Sequence, residues 1–154
     1  TTADIKVADE LAKIANIENL TKLGMELFKQ KDNIKESTTE ELLLRDFKEF
    51  NMNNKKIAVS QLETTDATIF SGMENDLISS MNKIKNNDKL HSFILIITDI
   101  MKEYSILFSV SDNNKIIENS FNSKLINNSF YLEGVLSRKL QIIPPLQNGF
   151  LDLN

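Results

Sequence analysis

Three consecutive residues near the end of the chain, Ser137, Arg138 and Lys139, have the chemistry of an anion site. Arginine offers a rigid fork that can bind two phosphate oxygens at once, and lysine adds a mobile point charge. Serine contributes a hydroxyl, and a bend after the preceding strand can expose backbone N–H groups. Because adjacent cations repel each other, the pair predicts a nearby anion or nearby carboxylates. On spacing alone, a phosphate or pyrophosphate site and a solvated pair of surface cations both fit.

Other ionisable residues give weaker signals. Lys48 is flanked by Asp46 and Glu49, and taken alone this arrangement predicts a surface ion pair. Asp99 follows a buried apolar run, where an aspartate caps the next turn more often than it binds a ligand. His91 lies among polar residues and is expected at the surface, because a single histidine makes a poor metal site.

The composition limits the classes of function. The chain has 154 residues, a net charge of −4 and a pI near 5.1, which argues against a nucleic-acid partner. No apolar run approaches the roughly 20 residues that a membrane span needs, and no secretory signal peptide is present. We therefore expect no membrane partner and a cytoplasmic location. With no cysteine and one histidine, the chain lacks the usual transition-metal ligands, so no metal site is predicted.

The hydrophobic pattern predicts an α/β fold. Apolar residues recur at helical spacing in two segments of the first third, and Ser37 and Glu40 have the spacing of a capping box. The pair Asn53–Asn54 predicts a hairpin turn, and later segments alternate between strands and helices. The pair Pro144–Pro145 is expected to stop regular structure. The elements predict a single domain over residues 1–154, with a mixed β-sheet of about five strands and helices on both faces.

The segment "GVLSRKLQIIPPL" resembles the terminal Ser-Arg-Lys-Lys-Gln signature of family II, manganese-dependent inorganic pyrophosphatases. The opening "ADELAKIANIE" and the segments "ELLLRDFKEF", "KKIAVSQLETTD" and "FILIITDIMKEYSILF" resemble successive blocks of the same DHH-associated C-terminal domain, in the same order. The resemblance thus covers nearly the whole chain. One position departs from the signature, because Leu140 stands where the family usually has a second lysine.

This resemblance implies the second half of a two-domain hydrolase that converts pyrophosphate and water into two phosphates. An N-terminal DHH domain, absent from this chain, would bind manganese (or magnesium or cobalt) and supply a metal-activated water as nucleophile. By motif, Arg138 and Lys139 would be catalytic and bind the electrophilic phosphate, with Ser137 beside them in the substrate site. Lys48 would bind pyrophosphate from the other side of the pocket. The chain alone should be inactive, and the full-length enzyme is expected to be a homodimer.

Two alternatives remain open at this level. The chain can be the equivalent domain of an exopolyphosphatase, whose pocket opens to accept a longer phosphate chain. It can also be a stand-alone, non-catalytic phosphate-binding module. The start without methionine is compatible with processing, and it fits an excised domain at least as well.

Overall fold

The computed structural model describes residues 2–152, except for the side chains at positions 2–5, 23, 26–33 and 35. Residues 1–36 and residues 37–154 form two compact units. The first contains α1 (Thr2–Glu36), one continuous helix where the sequence pattern predicted two helical segments. Gly24 lies inside this helix, where a glycine costs about 1 kcal/mol relative to alanine and so weakens a helix without ending it. A single domain over residues 1–154 stays a prediction.

The second unit is built around a β-sheet. Its helices and strands are, in chain order, α2 (Thr39–Leu44), β1 (Phe47–Met52), β2 (Lys55–Thr64), α3 (Glu74–Asn87), β3 (Ser92–Asp99), β4 (Tyr104–Ser111), α4 (Asn114–Phe121), β5 (Ser129–Glu133) and α5 (Ile143–Leu151). A 3₁₀ turn (Ala67–Phe70) precedes α3, and a π-helical turn (Arg138–Ile142) leads directly into α5.

The strand order is β1-β2-β3-β4-β5. Only β2 and β3 are parallel, because α3 carries the chain back across the sheet between them, and the other neighbouring strands pair antiparallel. The α/β class with a mixed sheet of five strands is therefore confirmed. The hairpin between β1 and β2 is confirmed as well, because Asn53 and Asn54 adopt the positive φ angles of 51° and 62° that its tight turn requires.

Helices cover the sheet on both sides, as predicted. One face carries alternating apolar residues of β2, β3 and β4, which pack with buried residues of α4 and α5, among them Ile117 and Phe150. The opposite face packs against α2 and α3 through residues such as Leu43 and Met81. At the contact between α4 and α5, a side chain at Gly149 would collide with the hydroxyl of Ser120, so glycine permits the close approach.

Two local predictions about helix ends were wrong. Thr38, rather than Ser37, caps α2, because its hydroxyl accepts the backbone N–H of Glu41 at 3.2 Å. Glu40 forms an ion pair with Lys83 at 2.8 Å instead of closing a capping box.

The proline pair does not end regular structure, and that prediction was also wrong. Pro144 and Pro145 lie in the first turn of α5. The first N–H groups of a helix have no acceptor within the helix, so proline loses nothing there and its fixed φ angle suits the helix.

Candidate anion-binding site

Three of the four predicted site residues meet at one small cavity. Lys48 lies on β1, and Arg138 and Lys139 belong to the π-helical turn that follows β5. Together with Phe50 and Ile143, these cations line a cavity of about 140 Å³. Residues 90 positions apart in sequence thus share one pocket, and the cavity has an apolar wall and three cationic side chains.

Arg138 occupies a fixed position in this site. Its residue is only 8% exposed, and Nη1 donates to the carbonyl oxygens of Asp46 at 2.8 Å and Val59 at 3.1 Å. Nη2 donates to the carboxylate of Asp46 at 2.7 Å. Asp46 is therefore the carboxylate that the adjacent cations predicted.

The contacts of Arg138 leave part of its guanidinium available. Of five N–H donors on an arginine side chain, these hydrogen bonds use three, so Nε and one Nη2 hydrogen have no acceptor among residues 2–152. A guanidinium that protein groups hold in place while two of its donors remain unused is pre-organised for an oxyanion, since its rotamer entropy is already lost.

Lys48 and Lys139 differ from Arg138 in being exposed. Within the part of the chain that the structure describes, neither forms a salt bridge, whereas the neighbouring Glu49 pairs with Lys56 at 3.4 Å. The surface ion pair expected for Lys48 on sequence grounds is thus not formed. Two unpaired lysines beside a tethered arginine concentrate positive charge that one multiply charged anion would neutralise.

Ser137 lies beside this cavity without lining it. Its hydroxyl accepts the N–H of Leu140 at 3.1 Å and so caps the π-helical turn. The backbone N–H groups of Leu136 and Ser137 both donate to the side-chain oxygen of Gln141, at 2.9 and 3.0 Å, so the bend does not offer them to an anion. A substrate contact by Ser137 stays a prediction. Leu140, the position that departs from the family signature, is 74% exposed.

Asp99 is structural, as predicted. It is fully buried at the end of β3, and one carboxylate oxygen accepts the N–H groups of Met101 and Lys102 at 3.1 and 2.9 Å. The other oxygen accepts the N–H of Ala67 at 3.0 Å. Asp99 thus caps the turn into β4 and anchors the 3₁₀ turn.

His91 is half-buried, so its predicted surface position was wrong. Its ring makes a T-shaped contact with the ring of Phe150, with the centroids 5.4 Å apart, and Nδ1 lies 2.8 Å from the hydroxyl of Ser92. Burial lowers the pKa of His91 below its ordinary value of 6.5; the charge of Asp112 opposes this shift, while Lys55 and Lys85 add to it.

We expect the folded chain to lose stability as the pH falls from 7.5 to 5.5. Since the pKa of His91 is lower in the folded state, the unfolded chain binds the proton more readily, and acid favours unfolding below pH 6.5. Urea unfolding at both pH values measures this loss. In the variant His91→Gln, which cannot titrate, the difference between the two pH values should shrink. An equal difference in both proteins would assign the effect to other groups.

Between positions 2 and 152, no three or more histidines, aspartates or glutamates come together as a possible metal site. Over the same range, no helix is long and apolar enough to cross a bilayer. The residues that line the cavity are cationic and apolar, so they do not fit a manganese ion.

Two features of the site escaped the sequence analysis. The ion pair between Arg138 and Asp46 joins positions 92 residues apart, and no local pattern identifies such a partner. Gln141 holds the bend before Arg138 through both ends of its amide, donating to the carbonyl of Gly134 at 3.1 Å. The position of Gln141 in the Ser-Arg-Lys-x-Gln run could have indicated these hydrogen bonds, because a glutamine four residues after a serine can reach back to the preceding turn.

Comparison with known proteins places these residues in a family. The model of the DHHA2 domain matches residues 25–148. The "Probable manganese-dependent inorganic pyrophosphatase" of Archaeoglobus fulgidus is 38% identical over 153 residues, which are 99% of this chain and 48% of that protein. The manganese-dependent inorganic pyrophosphatase of Methanocaldococcus jannaschii is 37% identical over 150 residues, with 97% and 48% covered.

A solved structure gives the same relationship. The crystal structure of a Methanococcus jannaschii protein assigned to the family II inorganic pyrophosphatases matches with a TM-score of 0.75 and 36% identity, covering 98% of this chain and 49% of that one. The chain spans about half the length of the curated relatives it matches. Because the family model matches most of the sequence, including the whole sheet and both halves of the cationic cavity, this chain belongs to the DHHA2 domain family.

Proposed function

We propose that this chain is the substrate-binding part of a manganese-dependent inorganic pyrophosphatase, which hydrolyses pyrophosphate to two phosphates. The observation that carries the proposal is the cavity where Lys48, Arg138 and Lys139 converge without an acidic residue in its lining. Relatives named as manganese-dependent inorganic pyrophosphatases support it.

The geometry suits the charge of this substrate. Pyrophosphate carries several negative charges, and its hydrolysis moves charge onto the oxygens of the phosphoryl group under attack. A tethered Arg138 can bind two oxygens through its free edge, and Lys139 can follow the charge as it shifts. Lys48, on the facing strand, would hold the second phosphate. The apolar side chains of Phe50 and Ile143 exclude water from one wall and strengthen these interactions.

Manganese would belong to the rest of the protein. The residues that line the cavity offer no carboxylate or imidazole ligand, and no ligand cluster occurs elsewhere in positions 2–152. The half of the relatives' length that this chain does not span would then supply the metal ligands. In this division, the chain binds and orients pyrophosphate and holds its negative charge. A cytoplasmic, homodimeric enzyme fits the proposal.

The proposal predicts that the isolated chain binds pyrophosphate weakly, because half of the pocket is contributed elsewhere. Titration with sodium pyrophosphate, followed by the amide shifts of residues around the cavity, should saturate in the millimolar range, corresponding to about −4 kcal/mol. Lys48→Ala and Lys139→Ala should each weaken this binding.

Lys124→Ala is the matched control, because Lys124 is an exposed lysine outside the cavity lining. Equal weakening by the control would reduce the effect to net charge. Absence of binding by the wild-type chain, or full binding by both cavity variants, would refute the proposed site.

A further inference from the structure

The segment Val135–Ser137 connects β5 to Arg138 without helix or strand geometry. The carbonyl of Ser137 accepts the backbone N–H of Gln141 at 2.8 Å. Backbone polar groups of such a segment that lack a backbone partner must be bonded by side chains or water. Here the carbonyls of Val135 and Leu136 and the N–H groups of Leu136 and Ser137 are all bonded to side chains. The path of the chain into the cationic turn is therefore set by those side chains.

On the inner side, the contacts come from three neighbouring strands. The side-chain amide of Gln61 on β2 donates to the carbonyl of Leu136 at 3.1 Å and to the hydroxyl of Thr98 on β3 at 3.0 Å. The hydroxyl of Thr98 lies 2.8 Å from that of Ser105 on β4, and Ser105 donates to the carbonyl of Val135 at 2.5 Å. Two ends of one polar chain thus reach two consecutive carbonyls.

The donor and acceptor of each hydrogen bond in this polar series follow from the groups that take part. A serine hydroxyl has one hydrogen, and the carbonyl of Val135 can only accept, so Ser105 donates there. Thr98 must then donate to Ser105, and it accepts from Gln61. Every donor points the same way, from the amide through both hydroxyls to the loop, an arrangement in which hydrogen bonds reinforce each other.

Burying this series of hydrogen-bonded side chains costs desolvation free energy, so its presence indicates a role beyond packing. Gln61, Thr98 and Ser105 are buried, 8%, 0% and 0% exposed, on the sheet face that carries the apolar cluster packed against α4 and α5. Polar groups placed there lose hydration and recover it only if every partner is present. Apolar side chains of similar volume would fill the same space, but they would leave the segment before Arg138 without anchors.

Gln61 also contacts Asp46, whose carbonyl oxygen accepts a hydrogen bond from Arg138. Its backbone N–H donates to the carbonyl of Asp46 at 3.2 Å, the same oxygen that accepts Nη1 of Arg138. One residue therefore holds the main chain that precedes Arg138 and the acceptor that orients its guanidinium. Gln141 completes the arrangement from the outer side of the bend.

We propose that Gln61, Thr98 and Ser105, with Gln141, are positioning residues that fix the Val135–Ser137 segment so that Arg138 and Lys139 face the anion. The inference rests on the proposed function, since it assigns these residues to the same site. They do not touch the substrate; they act through the segment and the two cations. A loosened anchor would move the cations by an ångström or less, which is enough to weaken binding about tenfold or more.

Ser105 and Ser109 provide a matched pair for the test. Both are fully buried on β4, on the same face of the sheet, and each hydroxyl donates one hydrogen bond. Ser109 bonds to Asn114 at 2.9 Å, away from the segment. Ser109→Ala removes one hydrogen bond, and Ser105→Ala removes two, since Ser105 also accepts from Thr98. A purely structural role therefore predicts a loss of stability in both variants and no difference in binding while both are folded.

The experiment titrates the wild-type chain and the variants Ser105→Ala, Ser109→Ala, Gln61→Met and Gln141→Met with sodium pyrophosphate, at a temperature where unfolding curves show each fully folded. Ser105→Ala, Gln61→Met and Gln141→Met should weaken binding about tenfold, and amide hydrogen exchange at Leu136 and Ser137 should accelerate. Ser109→Ala should bind like the wild type. Gln141 is exposed, so its variant stays testable if a buried substitution prevents folding.

The outcomes separate the two proposals. Loss of binding in Lys139→Ala, with wild-type binding in Ser105→Ala, Gln61→Met and Gln141→Met, would overturn the positioning role alone. Equal weakening by Ser105→Ala and Ser109→Ala would also overturn it, because the effect would then follow stability. Absence of binding by the wild-type chain would overturn the proposed function and this inference with it.

Discussion

Replacing Lys139 by alanine in the full-length enzyme is expected to lower kcat/KM for pyrophosphate about 100- to 1000-fold, the effect of removing one donor from a developing oxyanion. Lys139 is exposed and forms no hydrogen bond through its side chain within residues 2–152, so the free energy of unfolding should stay within about 0.5 kcal/mol of the wild type. Steady-state kinetics and urea unfolding measure the two quantities.

Arg138→Ala should lower both kcat/KM for pyrophosphate and the free energy of unfolding, whereas Lys139→Ala should lower only kcat/KM. The truncation of Arg138 removes a similar contact to phosphate, and it also removes the Arg138 donor to the carbonyl of Val59 and one of the two donors to the carbonyl of Asp46, a cost of about 1–3 kcal/mol in stability. Arg138→Lys should not restore activity, because one ammonium cannot bond both carbonyls and the carboxylate of Asp46 while facing the anion.

The comparison between the two variants is the informative result. A large loss of activity in Lys139→Ala at unchanged stability would identify a group that acts on the substrate. If both variants keep the wild-type kcat/KM, the assignment of the cationic turn to the substrate site is wrong. If only Arg138→Ala loses activity, in proportion to its loss of stability, the arginine is structural.

The chain by itself should release no phosphate from pyrophosphate above the rate in buffer, with or without manganese. In the proposed division of roles it binds the anion but, in the described residues, brings no ligand cluster to a metal, and metal-assisted activation of water contributes many orders of magnitude to such reactions. A colorimetric phosphate assay on the purified chain, with millimolar manganese and pyrophosphate, makes the measurement. The full-length protein in the same buffer is the positive control.

Manganese-dependent phosphate release by the isolated chain that saturates with substrate would refute this division of labour. Lys139→Ala should be included in the assay, since release that persists unchanged in this variant would point to a contaminating phosphatase. Release that is lost in the variant would mean that the chain has its own catalytic centre.

Sequence reasoning predicted the sheet well for reasons that are local. The buried run of β3 and the Asn53–Asn54 turn are encoded within a few residues, and the alternating pattern of β2 fixes which side chains face which helix layer. Helix ends were less predictable. Thr38 and Ser37 offer the same hydroxyl one residue apart, and tertiary contacts, here the bond from Arg45 to Ser37 at 2.6 Å, decide between them.

The residue types of the candidate site were predictable from the sequence, but the hydrogen bonds and ion pairs between its residues were not. Adjacent cations at 138 and 139 indicated an anion or a carboxylate, and the structure contains the carboxylate of Asp46. Which of the two solutions a chain adopts depends on contacts between distant positions. The polar chain through Gln61 and Ser105 gives no sequence signal either, since single polar residues in strands are usually solvent-facing positions of the pleat.

The hydrogen bonds between Arg138 and Asp46 close a loop of 92 residues, which gives the site a place in the order of folding. A contact between positions so far apart in sequence loses more loop-closure entropy than a nearby one, so we expect it to form late, after the nearer strand pairs. During synthesis, β1 and its Lys48 leave the ribosome before the cationic turn does, so a growing chain carries an incomplete pocket until the turn has emerged. The proposed capture of a phosphate anion at this cavity therefore requires the cationic turn, and a truncation before Arg138 would retain all five strands of the sheet and their four pairings while lacking both cations of the turn.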